Sequence, residues 1–199
     1  MICDILFQNL QFNKNKIRIK GALNLMYSQV QNFIIEDKNI DFAQQYETLS
    51  TTLFNLLDTP VKSTHHIGGT KHFNYPTEPI LDILVGVDNL HDITSLDEKR
   101  LNYAGFYRLH HPYKKKVVMA QFNNLIDLKQ IARLHIIQKD STLYNDYLLS
   151  TKYLENNPSA AQTFGNAKQN IAQHAPTIRA YENQKQQLFS KLLKQIHTD

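Results

Sequence analysis

The chain has no tryptophan, a single cysteine, and only six glycines and six prolines among its 199 residues. The lone cysteine, Cys3, excludes a disulfide framework within the chain and points to a reducing compartment. It lies among Ile2, Ile5 and Leu6, where it reads as buried filler rather than a nucleophile. One cysteine also excludes a Cys-rich zinc site. No stretch approaches the ~20 apolar residues of a membrane-spanning helix. No basic segment followed by a long apolar run opens the chain, so no signal peptide is expected. Cytoplasmic localisation, with no membrane partner, is the resulting expectation. Internal repeats and low-complexity segments are absent as well.

What is present is ordinary globular material. Hydrophobic residues make up 42% and charged residues 20%, with ten Tyr and ten Phe supplying the aromatic packing that tryptophan does not. A chain of this length buries a sizeable core. The net charge of +4 mildly favours anionic partners. The only sharp basic run is Lys114-Lys115-Lys116, read as a solvated turn between strands with a phosphate-facing patch as the alternative. The charge alone permits non-specific nucleic-acid binding, which would weaken steeply with salt, but nucleic acid is not the expected partner.

Periodicity organises the chain. Residues 16–20 alternate like a strand, and Leu23, Met26, Val30, Phe33 and Ile34 fall at helical spacing. Phe42, Tyr46, Leu49, Leu53 and Leu57 form a second helical stripe, stopped by Asp58-Thr59-Pro60. Residues 80–87 are a near-continuous apolar run carrying one carboxylate, Asp82, which reads as a buried strand. A short helix fits within 88–101. Further strands are expected at 105–110, 116–122 and 133–138, with a helix at 126–131. Beyond residue 140 the pattern is helical, with starts at Asp140-Ser141, Asn157-Pro158 and Pro176. The last helix is expected to carry lysines on its outer face. Helix, strand-rich core, then three helices favours an α+β fold over a regularly alternating one.

The segment with most chemistry is His66-Ile67-Gly68-Gly69-Thr70, followed by the Asp82 strand. A Gly-Gly turn lets backbone amides approach a phosphate, and Thr70 adds a hydroxyl. A simple tight turn is the alternative. A carboxylate inside an apolar strand needs a cation or a lysine to offset its desolvation. His135 shares a strand face with Arg133 and would enter the same cleft if the two strands are neighbours. It reads either as a base or ligand, or as a structural histidine bonded to a core neighbour. His65-His66 and His110-His111 do not chelate as pairs, because adjacent strand residues point to opposite faces.

These motifs resemble the GrpB family. Residues 66–70 are similar to its His-Ile-Gly-Ser-Thr turn, and 78–83 to its Lys-Pro-Ile-Ile-Asp-Ile segment. Arg133-Leu134-His135-Ile136 resembles its His-Leu-His-Val strand, and Tyr144-Asn145-Asp146-Tyr147-Leu148 its Phe-Arg-Asp-Tyr-Leu helix start. Phe164 with Lys168, and Tyr181 with Lys185, resemble its last two helices. The similarity runs from about residue 42 to 196. It implies an N-terminal extension at 1–40 and a GrpB-like domain at 41–199, helical over 140–197. The implied fold is a nucleotidyltransferase-like small mixed sheet flanked by helices. In active relatives on that fold, an Asp-x-Asp strand holds two divalent metals against a triphosphate.

The resemblance therefore implies Asp82 as a catalytic carboxylate and Mg²⁺ ligand, with His135 beside it. Gly68, Gly69, Thr70, Lys71 and Arg133 become the expected phosphate- or nucleotide-binding residues. The departures weigh against full activity. Leu84 occupies the second carboxylate position, Gly69 replaces the serine of the turn, Glu78 stands where the family often has lysine, and Asn145 replaces an arginine. Three readings follow: a metal-dependent nucleotidyltransferase, a nucleotide-binding module that has lost the chemistry, and an interaction protein on the same fold.

Overall fold

The computed structural model describes residues 30–36, 40–89, 91, 95–109, 115–124 and 126–198. The expectations for Cys3, residues 16–20, Leu23, Met26, His110-His111 and Lys114 lie outside these.

Helix α1, Phe42–Phe54, begins at Asp41, whose carboxylate accepts the Gln44 N–H at 2.9 Å as an N-cap. It buries Phe42, Leu49 and Leu53 and ends before Leu57, which is 75% exposed. Strand β1 spans Val61–Ile67 and β2 spans Leu81–Val87, with a short 3-10 turn, Gly69–Lys71, between them. Helix α2 is Ser95–Tyr103, and strands β3, β4 and β5 are Phe106–Arg108, Lys116–Phe122 and Gln130–Gln138. Three helices complete the chain: α3 Thr142–Asn156, α4 Pro158–His174 and α5 Ile178–Ile196. Ser141 and Thr177 cap α3 and α5 through their hydroxyls, and Pro158 occupies the first turn of α4.

The sheet order is β1-β2-β5-β4-β3. Only β2 and β5 pair in parallel, and every other neighbour is antiparallel. This is a mixed α+β fold with a small central sheet flanked by helices. The two faces of β2 part ways by the period of two. Leu81, Ile83, Val85 and Val87 join Leu134, Ile136, Met119 and Phe106 in the main core beneath α1. On the opposite face Leu84 packs with Ile67, Ile137 and Tyr144 beneath α3. A third cluster, Tyr75, Leu154, Ala161 and Leu192, ties the last three helices together.

Three local expectations change. Residues 30–34 are not helical: Ile34 bridges Thr77, exchanging backbone hydrogen bonds of 2.7 and 2.9 Å. Residues 126–131 form no helix either. Asn123 and Asn124 side chains accept the Lys129, Ile126 and Asp127 N–H groups, closing a turn that feeds Gln130 and Ile131 straight into β5. Strand β1 was not among the expected strands, because an edge strand reading Val-Lys-Ser-Thr-His-His lacks an apolar run. No described helix is long and apolar enough to cross a membrane.

Candidate functional site

The parallel register sets Asp82 opposite Arg133 and Leu84 opposite His135. The Asp82 and His135 side chains, both on the α3 face of the sheet, meet diagonally. His135 Nε2 lies 2.9 Å from Asp82 Oδ1, and Arg133 Nη1 lies 4.0 Å from the same oxygen. Burial alone would raise the Asp82 carboxyl, but the His135 hydrogen bond and the Arg133 charge outweigh it and hold it at about 2. Burial pulls the His135 imidazole down to about 4, with Asp82 offsetting only part of that. At neutral pH the pair is an ionised carboxylate and a neutral ring. Nε2–H then donates to Asp82, and Nδ1 is a buried acceptor without a hydrogen-bond partner among the described residues.

The glycine turn backs onto this pair. Gly68 has φ of +77°, and a Cβ there would stand 3.3 Å from Asp82 Oδ2. At Gly69 a Cβ would stand 2.7 Å from the Thr77 Cβ, so Thr77 fills the space a serine side chain would need. Thr70 is buried. Its hydroxyl donates to the Ile80 carbonyl at 3.3 Å and lies 3.1 Å from His66 Nε2. Lys71 pairs with Glu155 at 2.7 Å. Gly68, Gly69 and Arg133 therefore line one cavity with Asp82 and His135, while Thr70 and Lys71 lie outside its lining.

That cavity, about 750 Å³, lies between the α3 face of the sheet and helices α3–α5. Among the described residues six cations line it (Lys116, Lys129, Arg133, Lys168, Arg179 and Lys185) against three carboxylates, Glu78, Asp82 and Glu182. Lys168 Nζ lies 2.8 Å from Glu78 Oε2 and donates to Thr77 Oγ1 at 2.9 Å. Lys185 lies 3.7 Å from Glu78 and 2.9 Å from Glu182. Burial would raise Glu78, but Lys168, Lys185 and Arg133 hold it well below the usual carboxylate range. Burial would lower Lys185, but Glu182 and Glu78 hold it above its ordinary value. Lys116 donates to the Tyr147 hydroxyl at 2.8 Å, and burial with the nearby Arg133 charge brings it down to about 8.

The donor set does not fit a two-metal centre. Mg²⁺ wants several oxygens, and a two-metal clamp needs carboxylates that both ions share. Asp82 Oδ1 already accepts from His135 and faces a guanidinium, and Leu84 is fully buried among apolar side chains. Among the described residues no group of three or more His, Cys, Asp or Glu could hold a metal ion. His65 packs edge-on to Tyr144 at 6.0 Å and His66 stacks on Tyr46 at 5.6 Å, on opposite faces of β1.

The family model described as GrpB protein matches residues 32–195. The chain belongs to the GrpB family. The glutamate-rich protein GrpB of Alkalihalophilus pseudofirmus is 28% identical over 153 residues, 76% of this chain and 88% of that protein. The crystal structure of conserved protein GrpB from Enterococcus faecalis superposes with a TM-score of 0.62 at 24% identity, covering 77% of this chain and 93% of that one. The Cid1 poly(U) polymerase with Mg and 3'-dATP bound gives a TM-score of 0.45 at 13% identity, over 79% of this chain and 48% of that one, a likeness too slight to carry an argument.

Several cavity residues of this GrpB chain escape sequence reasoning. Lys116 turns inward while Lys115 is exposed; its parity with Val118 and Ala120 was the available signal. Lys185 is not on an outer face: it sits inside, 4.9 Å over the Tyr181 ring. Its i,i+4 spacing from Tyr181, like that of Lys168 from Phe164, places a cation on the apolar stripe of each helix. His72 carried no signal.

The GrpB core should also lose stability in acid. Burial lowers His66 and His135 from 6.5 to about 4 each. Between those values the unfolded chain binds protons that the folded chain refuses, so stability falls as pH drops through that window. Asp82, held at about 2 against 3.8, contributes stability above about pH 4 that is lost below it. Urea midpoints at pH 7, 5.5 and 4.5 should fall in that order, and the unfolding free energy by a total of about 2–4 kcal/mol. A flat profile would contradict the neutral state of both rings.

Proposed function

We propose that the cavity binds a phosphate-bearing ligand, a nucleotide in the first instance, without a metal ion and without nucleotidyl transfer. The observation that carries this reading is the twofold excess of cations over carboxylates among the described residues that line the cavity. The remaining lining is largely apolar and aromatic, with the Tyr147 and Phe189 rings 5.1 Å apart, which suits a ring system attached to the anion. Asp82, engaged by His135 and Arg133, orients the cationic floor rather than a metal. A chain that binds without turning over would serve as a sensor or regulatory module.

A thermal-shift panel tests this, with the four nucleoside triphosphates, coenzyme A and buffer, each in EDTA and in Mg²⁺. A ligand specific for the folded state adds about 2.7 kcal/mol at a hundred times its dissociation constant. The expected result is a rise in Tm for a triphosphate in EDTA that Mg²⁺ does not enlarge. A rise that requires Mg²⁺ would return the site to metal chemistry. No rise with any ligand would favour the interaction-protein reading.

A further inference from the structure

Asp82 offers the cavity one of its two carboxylate oxygens. Oδ1 accepts the His135 Nε2–H at 2.9 Å and faces Arg133 Nη1 at 4.0 Å. Oδ2 has no hydrogen-bond partner among the described residues, yet it is not a buried orphan. The side chain keeps 26% of its surface accessible, and it lines the cavity. Gly68, also in the lining, is what leaves that oxygen uncovered. A Cβ there would stand 3.3 Å from Oδ2, and the φ of +77° disfavours any residue that carries one. Glu78 differs on both counts: each of its oxygens faces a lysine, and its side chain is only 8% accessible.

The charges around Asp82 narrow what Oδ2 can take. Among the described residues, Arg133, Lys116, Lys168 and Lys185 lie within electrostatic reach of it. An ammonium group arriving at Oδ2 would meet those positive charges, and a phosphate oxygen would meet the carboxylate itself. A neutral hydroxyl meets neither obstacle, and it gives the carboxylate a charge-assisted hydrogen bond, stronger than one between neutral groups. The cations remain to hold the anion. We propose that Asp82 is a specificity residue whose Oδ2 accepts a hydrogen bond from a ribose hydroxyl, so that the cavity selects a ribonucleotide over an analogue stripped of its sugar hydroxyls. This inference rests on the anion-binding reading above and narrows it. The discrimination is of the kind seen when a site built to hydrogen-bond a ligand group rejects the analogue that lacks it.

Titration calorimetry of the full chain in EDTA tests this, with the four ribonucleoside triphosphates and their 2′,3′-dideoxy counterparts. The parent should bind its preferred ribonucleotide about 10–100-fold more tightly than the dideoxy form, the worth of a hydrogen bond to a charged group. In Asp82→Asn the amide oxygen still accepts from His135, while an uncharged amide nitrogen replaces Oδ2. The ratio should then fall by at least about fivefold, the difference between a charged and a neutral hydrogen bond. The ratio is its own control, because both ligands carry the same triphosphate and damage to the anion seat weakens them together. A parent ratio below about threefold overturns the inference with no variant needed. A ratio undiminished in Asp82→Asn would place the hydroxyl on another group, such as Glu182, and overturn it too. Either result leaves the anion-binding reading standing. A parent chain that binds none of the triphosphates would overturn both.

Discussion

Leu84→Asp, which writes the missing second carboxylate back into β2, should destabilise the protein by about 3 kcal/mol or more instead of rebuilding a metal site. Leu84 is fully buried and packs with Ile67, Ile137 and Tyr144, away from the lining of the cavity. An aspartate there would lose that packing and place an unpaired carboxylate under α3. Its group would protonate before it found a cation. The urea midpoint should drop and Mg²⁺ should not recover it. A variant of parental stability whose Tm rises with Mg²⁺ would show that position 84 faces the cavity after all.

Glu78→Ala should cost a similar amount for the opposite reason, about 3–5 kcal/mol, because it strands cations rather than an anion. Glu78 is 7% exposed and compensates both Lys168 and Lys185. Lys185 keeps Glu182 as a partner, but among the described residues Lys168 keeps the Thr77 hydroxyl, the rings of Phe33 and Tyr75 and the more distant Asp82 charge. Replacing both members, Glu78→Leu with Lys168→Met, should recover most of the loss. The control is Glu155→Ala, which breaks a shorter contact, 2.7 Å to Lys71, yet should cost less than about 1 kcal/mol because water screens both partners. Equilibrium urea unfolding of all four proteins decides it. A Glu78→Ala variant as mild as Glu155→Ala would mean that water reaches the buried lysines.

The position of Glu78 also accounts for how the cavity is divided. Two of its lysines are committed to carboxylates that hold α4 and α5 against the loop before β2. Lys116 and Arg133, on the sheet, supply charge at the floor beside Asp82. The helices are thereby fixed in place by the same charged groups that give the cavity its sign.

Sequence alone determined much of this. The strand at Asp82, the capped helix after Ser141 and the proline-started α4 follow from local periods and cap chemistry, which need no knowledge of the rest of the chain. Parity within a strand placed Leu84 where a second carboxylate would stand, and put His135 on one face with Arg133. The order of motifs was enough for the family. Only the tertiary structure decided that β2 and β5 are neighbours, so that His135 takes Asp82 Oδ1 rather than another core group. It alone turned Thr70 and Lys71 away, brought Lys116 and His72 in, and joined Glu78 to Lys168 across 89 intervening positions. The physical reason is one of range. Which way a side chain points along a strand or helix is set by a period of two or 3.6 residues. What it meets there is set by long-range packing, and neutralising a buried charge depends on whichever partner that packing delivers.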